Sequence, residues 1–360
     1  MQGRPLRGLL LAGGTGSRLR PLTYTGAKQL LPVANKPILF YVVEAMVAAG
    51  VREIAVVVGD TRAEVEAALG DGRRFGATLT YVPQARPLGL ADAVRTAQPV
   101  LGDAPFLMVL GDNLLRGGYG SLVERFRAGP WAAAILVSPV DRPQAFGVAV
   151  LDPAGRVVRL VEKPRDPPSR LALVGAYCFD PLVHTVIADL QPSPRGEYEI
   201  TDAIQGLVDR GLPVDAAVVE GWWKDTGRPE DILEANRLVL EDRTEFRLEG
   251  TVSADSQVTG RVALGPGSRV VDSVLRGPAV LGADVVVEHA YIGPYTALGD
   301  GCVLRNSEIE HSVVLPGCRI EDVPARIDQS LLGRDVVLTG RPHRPRAVRL
   351  VLGDRSQAEL

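Results

Sequence analysis

The residues best suited to chemistry begin where the first apolar run ends. Leu11-Ala12-Gly13-Gly14-Thr15-Gly16-Ser17-Arg18-Leu19 is a glycine-rich stretch directly after a short strand pattern. Glycines there let backbone N–H groups close on phosphate oxygens, and Arg18 adds a guanidinium that can grip an oxyanion with two parallel hydrogen bonds. The spacing is not that of a Walker A loop, because no Gly-Lys-Ser/Thr follows, and Leu19 stands where GxGxxG needs its third glycine. A plain tight turn would use the same glycines, but Arg18 and two nearby lysines favour an anion. Lys28-Gln29-Leu30-Leu31-Pro32-Val33 and then Lys36-Pro37 place these two ammonium groups in irregular chain, where a mobile point charge suits a departing phosphate. Further on, Val109-Leu110-Gly111-Asp112-Asn113 sets a carboxylate at the C-terminal end of a buried run. Open α/β sheets hold their ligands there, which makes Asp112 a candidate magnesium ligand, with a turn or cap as its structural alternative.

Together, Gly13-Gly14-x-Gly16-x-Arg18-Leu19-x-Pro21-Leu22-Thr23, Lys28-x-Leu30-Leu31-Pro32 and Lys36-Pro37 resemble the N-terminal signature of the sugar nucleotidyltransferases. Later motifs follow in the family's order. The resemblance implies a nucleotide site of Leu11, Gly13, Gly14, Thr15, Gly16, Arg18, Gln29, Gln84, Pro87, Gly89 and Asp112, with Gln84 and the Gly89-Leu90-Ala91-Asp92-Ala93 segment reading the base. For the acceptor sugar it implies Gly147, Glu162, Gly175 and Glu197 around the hydroxyls, and Lys163 and Arg195 on the sugar phosphate. The chemistry agrees, since carboxylates accept from hydroxyls and cations neutralise a phosphate dianion. Trp222-Trp223-Lys224-Asp225-Thr226-Gly227-Arg228-Pro229 matches the closing motif. By that match Asp225 shares Mg²⁺ with Asp112, and Trp223 shapes the sugar pocket. Thr201 also reads as a simple N-cap for the helix holding Ile204, Leu207 and Val208.

The nearest likeness is to the long form of the glucose-1-phosphate thymidylyltransferases, firm over residues 7–240 and looser over 250–345. The implied partners are dTTP and glucose 1-phosphate, joined by in-line attack of the sugar phosphate on the α-phosphorus, with Arg18, Lys28, Asp112 and Asp225 as the catalytic set. One departure from the short form is Lys28, where those sequences often carry Gln. UTP is the competing triphosphate, because uracil and thymine differ by one methyl worth roughly 1 kcal/mol of contact. Two readings come from other classes. One is a hexapeptide acyltransferase using His289 or His311 as base, and the other is a non-catalytic regulatory subunit, against which the presence of Arg18, Lys28, Asp112, Lys163 and Asp225 speaks.

These residues need elements to hold them. Residues 9–12, 54–58 and 106–110 read as buried strands, and 37–49 as a helix that opens on Pro37 and closes before Gly50. Residues 146–151 and 157–161 flank Asp152-Pro153-Ala154-Gly155, a turn signal for an antiparallel hairpin that would make the sheet mixed. A helix over 230–240 follows Pro229, and the character changes near Asp242. Beyond Gly250 the pairs Leu264-Gly265, Leu281-Gly282, Ile292-Gly293, Leu298-Gly299 and Leu332-Gly333 recur near multiples of six, as in hexapeptide coils whose apolar faces are buried only by stacking. The register is poorest over 310–326. The expected architecture is a three-layer, mixed-sheet, Rossmann-like domain over 1–242, a left-handed parallel β-helix over 250–345, as the resemblance implies, and a tail over 346–360.

Bulk properties narrow the partners. A net charge of −3 offers no basic face for nucleic acid, and no apolar stretch nears the ~18 residues of a membrane span. Cys178, Cys302 and Cys318 are odd in number and widely spaced, which suits neither a disulfide framework nor a zinc knuckle and fits a reducing, cytoplasmic setting. The stacked faces and exposed end strands of a β-helix suggest a homo-oligomer.

Overall fold

The computed structural model of the chain describes residues 5–14, 16–24 and 26–340. Thr15 and the tail over 346–360 lie outside the described residues, as does the stretch 341–345 at the end of the expected β-helix. The chain forms two compact units. The first runs to Gly16 and takes in Gly26–Leu30 and Ile38–Asp225, while the second gathers Ser17–Thr25, Leu31–Pro37 and the chain from Thr226 onward.

The first unit is built from strands β1 (Arg7–Leu11), β2 (Glu53–Val58), β3 (Thr78–Pro83), β4 (Phe106–Leu110), β5 (Asn113–Leu115), β6 (Ala133–Pro139), β7 (Gly147–Leu151), β8 (Val157–Glu162), β9 (Leu171–Phe179), β10 (Val214–Val218) and β11 (Trp223–Asp225). Nine of them make one sheet in the order β8-β7-β9-β4-β1-β2-β3, with β6 beside β9 and β10 beside β6. β1, β2, β3 and β4 are mutually parallel, whereas β9 runs antiparallel to β4, β6 and β7, so the sheet is mixed as the hairpin signal implied. β5 and β11 form a separate antiparallel ribbon.

The period of two along β1 explains the layers. Leu9 and Leu11 face one core with α3 (Leu90–Leu101), α5 (Val183–Asp189) and α6 (Ile200–Asp209), while Leu10 and Ala12 face another with α1 (Ile38–Ala48), α2 (Arg62–Leu69) and α4 (Gly120–Ala128). A central strand buried on both sides must be apolar at every position, and each such leucine contributes about 2 kcal/mol by leaving water.

α1 starts one residue later than the sequence suggested, for a specific reason. Lys36–Pro37 pairs antiparallel with Pro32–Val33 across a two-residue turn at Ala34 and Asn35, both with left-handed φ (47° and 61°). Pro37 therefore ends a hairpin and is not the first helical residue. The short strand satisfies Val33 and Lys36 before α1 begins.

In the second unit α7 (Pro229–Arg243) carries Pro229 in its first turn, and a parallel β-helix follows. Its three sheets carry successive rungs such as Val262–Leu264, Ala279–Leu281 and Thr296–Leu298 on one face, Arg269–Val271, Val286–Glu288 and Val303–Arg305 on the next, and Val274–Arg276, Tyr291–Ile292 and Glu308–Ile309 on the third. Ile292, Leu298 and Leu304 thus occupy three consecutive faces, all buried. Most coils span 17 residues, one fewer than three hexapeptides. A rung 16 residues on is then followed by one 18 residues on, with Ala297 paired to Val313 and Val313 to Leu331. That compensating slip is why the repeat blurs over 310–326. The third face there shrinks to a single bridge between Ile309 and Ile327.

Candidate functional site

Strand register brings the chemistry together. β1 and β4 pair with Leu11 opposite Leu110, so Gly13, Gly14 and Asp112 emerge side by side from the carboxyl end of the parallel strands. Gln84 follows β3 at the same end, its N–H donating to the Val58 carbonyl (2.9 Å). A cleft of about 280 Å³ opens here, bounded by Leu11, Gly13 and Gly14 on one side and Gln84, Pro87 and Gly89 on the other. Lys28, Gln29, Asp112 and Glu197 complete its polar lining.

Gly89 is required by its backbone and its surroundings, whereas Gly14 leaves room for the Lys28 side chain. A Cβ at Gly14 would stand 2.7 Å from the Lys28 side chain, and one at Gly89, whose φ is 109°, would run into the Tyr198 carbonyl. Lys28 Nζ forms a close ion pair with Asp112, and the Asn113 amide donates to the other Asp112 oxygen (3.1 Å). Burial pushes the Asp112 carboxyl up, but Lys28 and the hydrogen bonds outweigh it and hold the group below the usual carboxylate range. Gln29 is 1% exposed and its Oε1 has no hydrogen-bond partner, a buried acceptor in the cleft lining. Gln84 Nε2 donates to the buried Asp92 (2.8 Å), which also pairs with Arg95, so the Gln84 amide is held in one orientation.

A second cluster adjoins the first at Glu197. Gly147 opens β7 opposite Glu162, the last residue of β8. Glu162 accepts from Thr201 Oγ1 (2.6 Å) and pairs with Arg195 (3.3 Å) and Lys163 (3.4 Å). Arg195 also contacts Glu197 (3.2 Å) and Glu199 (3.0 Å). Glu199 is buried and accepts from Ser193 Oγ, and burial together with the charge of Glu162 raises its carboxyl pKa. Thr201 lies in the first turn of α6, whose N-cap is Glu199, so its hydroxyl serves Glu162 rather than the helix end. Glu199 is a member of this cluster that the sequence reading did not single out.

The β5–β11 ribbon adds the last group. Asp225 pairs in register with Asn113, one residue from Asp112, and Trp223 Nε1 donates to Asn113 Oδ1 (2.6 Å). Trp223 also meets the Phe146 ring edge-on at 5.4 Å. Asn113 thereby links the tryptophan to the strand-end carboxylate, a role visible in sequence only as adjacency to Asp112. Gly175, with φ 80° at the bend of β9, packs against Leu110 and Asn113, and a Cβ there would lie 2.7 Å from Leu110 Cδ1. Arg18 sits on the Ser17–Leu19 turn, which belongs to the second unit, and a Cβ at Gly227 would be 3.0 Å from its Nη2. Gly16 has a left-handed φ of 64°.

A nucleotidyl transferase family profile matches residues 7–242, the stretch that holds every one of these side chains. The chain belongs to the nucleotidyl transferase family. It is 52% identical over 356 residues, 99% of each chain, to a glucose-1-phosphate thymidylyltransferase of Streptomyces antibioticus. A low-salt glycan biosynthesis nucleotidyltransferase of Haloferax volcanii is 48% identical over 359 residues, 99% of this chain and 100% of that one. Among solved structures, a UDP-glucose pyrophosphorylase complexed with UDP-glucose superposes with a TM-score of 0.60 at 27% identity, covering 66% of this chain and 99% of that one. The Streptomyces and Haloferax relatives match this chain over 99% of its length, the β-helix included. No helix among the described residues is long and apolar enough to cross a membrane.

Proposed function

We propose that the protein is a glucose-1-phosphate thymidylyltransferase, converting dTTP and glucose 1-phosphate to dTDP-glucose and pyrophosphate. The observation that carries this reading is the junction at Glu197 of a glycine-walled cleft and a cluster of two cations with three carboxylates. The first suits a nucleotide and the second a phosphorylated sugar. With Gln84 Nε2 committed to Asp92, its carbonyl oxygen is left to accept from the N3–H of a pyrimidine. Lys163 and Arg195 neutralise the sugar phosphate, while Gly147, Glu162, Gly175 and Glu197 surround the hydroxyls.

In the reaction an oxygen of the sugar phosphate attacks the α-phosphorus in line, the α–β bridging bond breaks, and its electron pair leaves on pyrophosphate. No protein nucleophile is needed, because such transfer rests on positioning and charge neutralisation. Arg18 and Lys28 supply positive charge to the triphosphate. Asp112 and Asp225 fit a magnesium site, being hard oxygen donors of which one lies on the β5–β11 ribbon opposite Asn113 and the other is the residue that precedes Asn113. Magnesium, when bound, supplies neutralising charge at the phosphate oxygens. His289 and His311 give little support to acyl transfer, since His289 is exposed, His311 is half-buried against the Tyr295 ring, and each occupies a left-handed corner with its ring held by an aspartate, Asp272 at 2.9 Å and Asp328 at 3.1 Å.

The test is pyrophosphate release with glucose 1-phosphate and Mg²⁺, comparing dTTP with UTP and the purine triphosphates below saturation. At least about tenfold preference for dTTP is expected, more than one methyl contact alone provides. Equal or better use of UTP would make it a uridylyltransferase, and no release with any triphosphate would leave a regulatory role. We further read the protein as a cytoplasmic homo-oligomer associating through the β-helix. Sedimentation equilibrium giving the mass of one chain would end that part of the reading.

A further inference from the structure

Two chain segments that flank the Lys28–Leu30 turn, Ser17–Thr25 with Arg18 and Leu31–Pro37 with Lys36, belong to the unit of the β-helix. The second segment is the hairpin that turns at Ala34 and Asn35, and its turn is clasped at two points. The Ala34 N–H donates to Asn236 Oδ1 (2.8 Å), and Asn236 Nδ2 donates to the Tyr295 carbonyl (2.8 Å). Asn35 Nδ2 reaches the same coil directly, donating to the Leu298 carbonyl (2.6 Å).

Asn236 lies on α7 and is 1% exposed, so its amide must be satisfied inside the protein. The short carboxamide of Asn236 accepts from one backbone group through Oδ1 and donates to another through Nδ2. Aspartate could accept from Ala34 but would set a charged oxygen against the Tyr295 carbonyl, and leucine would leave both backbone groups without a partner. The coil that receives the clasp is fixed in turn. Tyr295 donates its hydroxyl to Glu241 on α7 (3.0 Å) and stacks on His311 at 5.4 Å. A bond that merely held α7 on the β-helix would not need Asn35, which bypasses α7 altogether.

We propose that Asn236 and Asn35 are positioning residues for nucleotide use. They fix the Leu31–Pro37 hairpin on the coil of Tyr295 and Leu298 and, through the continuous chain, constrain the Lys28–Leu30 turn that precedes it. The coil then bears on the use of the triphosphate through the chain that joins Leu30 to Leu31, beyond any role in assembly. This rests on the thymidylyltransferase reading.

The experiment uses the full chain with two single substitutions. Asn35→Gly keeps the left-handed turn free of strain and deletes only the tether, whereas Asn236→Ala deletes both bonds of the clasp. The loss of one or two such hydrogen bonds should lower kcat/KM for dTTP about five- to tenfold, with the KM for glucose 1-phosphate staying within about twofold. The Ala34 amide should exchange with deuterated solvent about tenfold faster in Asn236→Ala. A kcat/KM for dTTP near that of the parent in both variants, or a parallel rise in the glucose 1-phosphate KM, overturns the proposal. Unchanged Ala34 exchange in Asn236→Ala overturns it independently. If Asn236→Ala does not fold, Asn35→Gly decides by its kinetics. A parent protein that releases no pyrophosphate from dTTP refutes the reading of function instead, and the exchange rate still judges the clasp.

Discussion

The hydroxyl of Thr201 donates to Oε2 of Glu162 at 2.6 Å, joining the first turn of α6 to the end of β8. Gly147 makes the bond possible, because a Cβ there would stand 2.6 Å from the hydroxyl and 2.9 Å from the carboxylate. With Oε2 so held, Oε1 faces Lys163 and Arg195. Thr201→Val keeps the shape and removes the donor, and it should raise the KM for glucose 1-phosphate about fivefold, the worth of one hydrogen bond to a charged group. Gly147→Ala should raise it further, since the carboxylate itself must move. Steady-state kinetics with each substrate varied in turn checks this, and an equal rise in the KM for dTTP would show that Glu162 does not serve the sugar side.

His184 offers a prediction about stability. It lies on α5 with its ring stacked on Phe106 at 5.6 Å, and neither ring nitrogen has a hydrogen-bond partner. Burial lowers its pKa, with the charge of Asp103 opposing weakly. The unfolded chain takes up a proton at this residue near pH ~6.5, while the folded chain resists it until lower pH. Stability is therefore unaffected by this group above about pH 6.5 and declines as pH falls from there to the folded pKa. His184→Leu should abolish that part of the decline. Urea midpoints at neutral and mildly acid pH measure it, and parallel losses in parent and variant would mean that His184 takes up its proton as readily in the folded chain as in the unfolded one.

Local signals in the sequence locate the parts of the site that depend on local chemistry. The glycine stretch before Arg18, the strand-end Asp112 and the Gly89 segment are each defined by a few consecutive residues, and the first and third line the cleft with Asp112. What sequence could not give are pairings across long spans. Asn113 and Trp223 are 110 residues apart, and Ala34 and Asn236 are 202 apart, and nothing near either residue marks its partner. Thr201 and Pro37 were misleading for a related reason. Both are good helix starters by type, yet one hydroxyl finds a closer acceptor in Glu162 and the other residue completes a hairpin. In the β-helix the aliphatic rungs are legible because each buries its own side chain, whereas the lengths of the corners between them follow no composition rule.

The pairing of Lys28 with Asp112 makes a sharper prediction than the loss of a metal ligand alone. Asp112→Asn preserves the size of the side chain and the neighbouring Asn113 contact but removes the charge that Lys28 balances. In the variant the Lys28 ammonium has no carboxylate beside it and attracts the triphosphate at least as strongly as before. Binding of dTTP, measured by calorimetry without the sugar phosphate, should stay within about threefold of the parent or tighten, an effect within the range of one charge-assisted contact. Turnover should fall by about 10²–10³, the usual loss when one preorganised electrostatic contact to the transition state is removed. If affinity and turnover instead fall together by the same factor, Asp112 serves to bind the nucleotide and the charge at the reacting phosphate is organised by other groups.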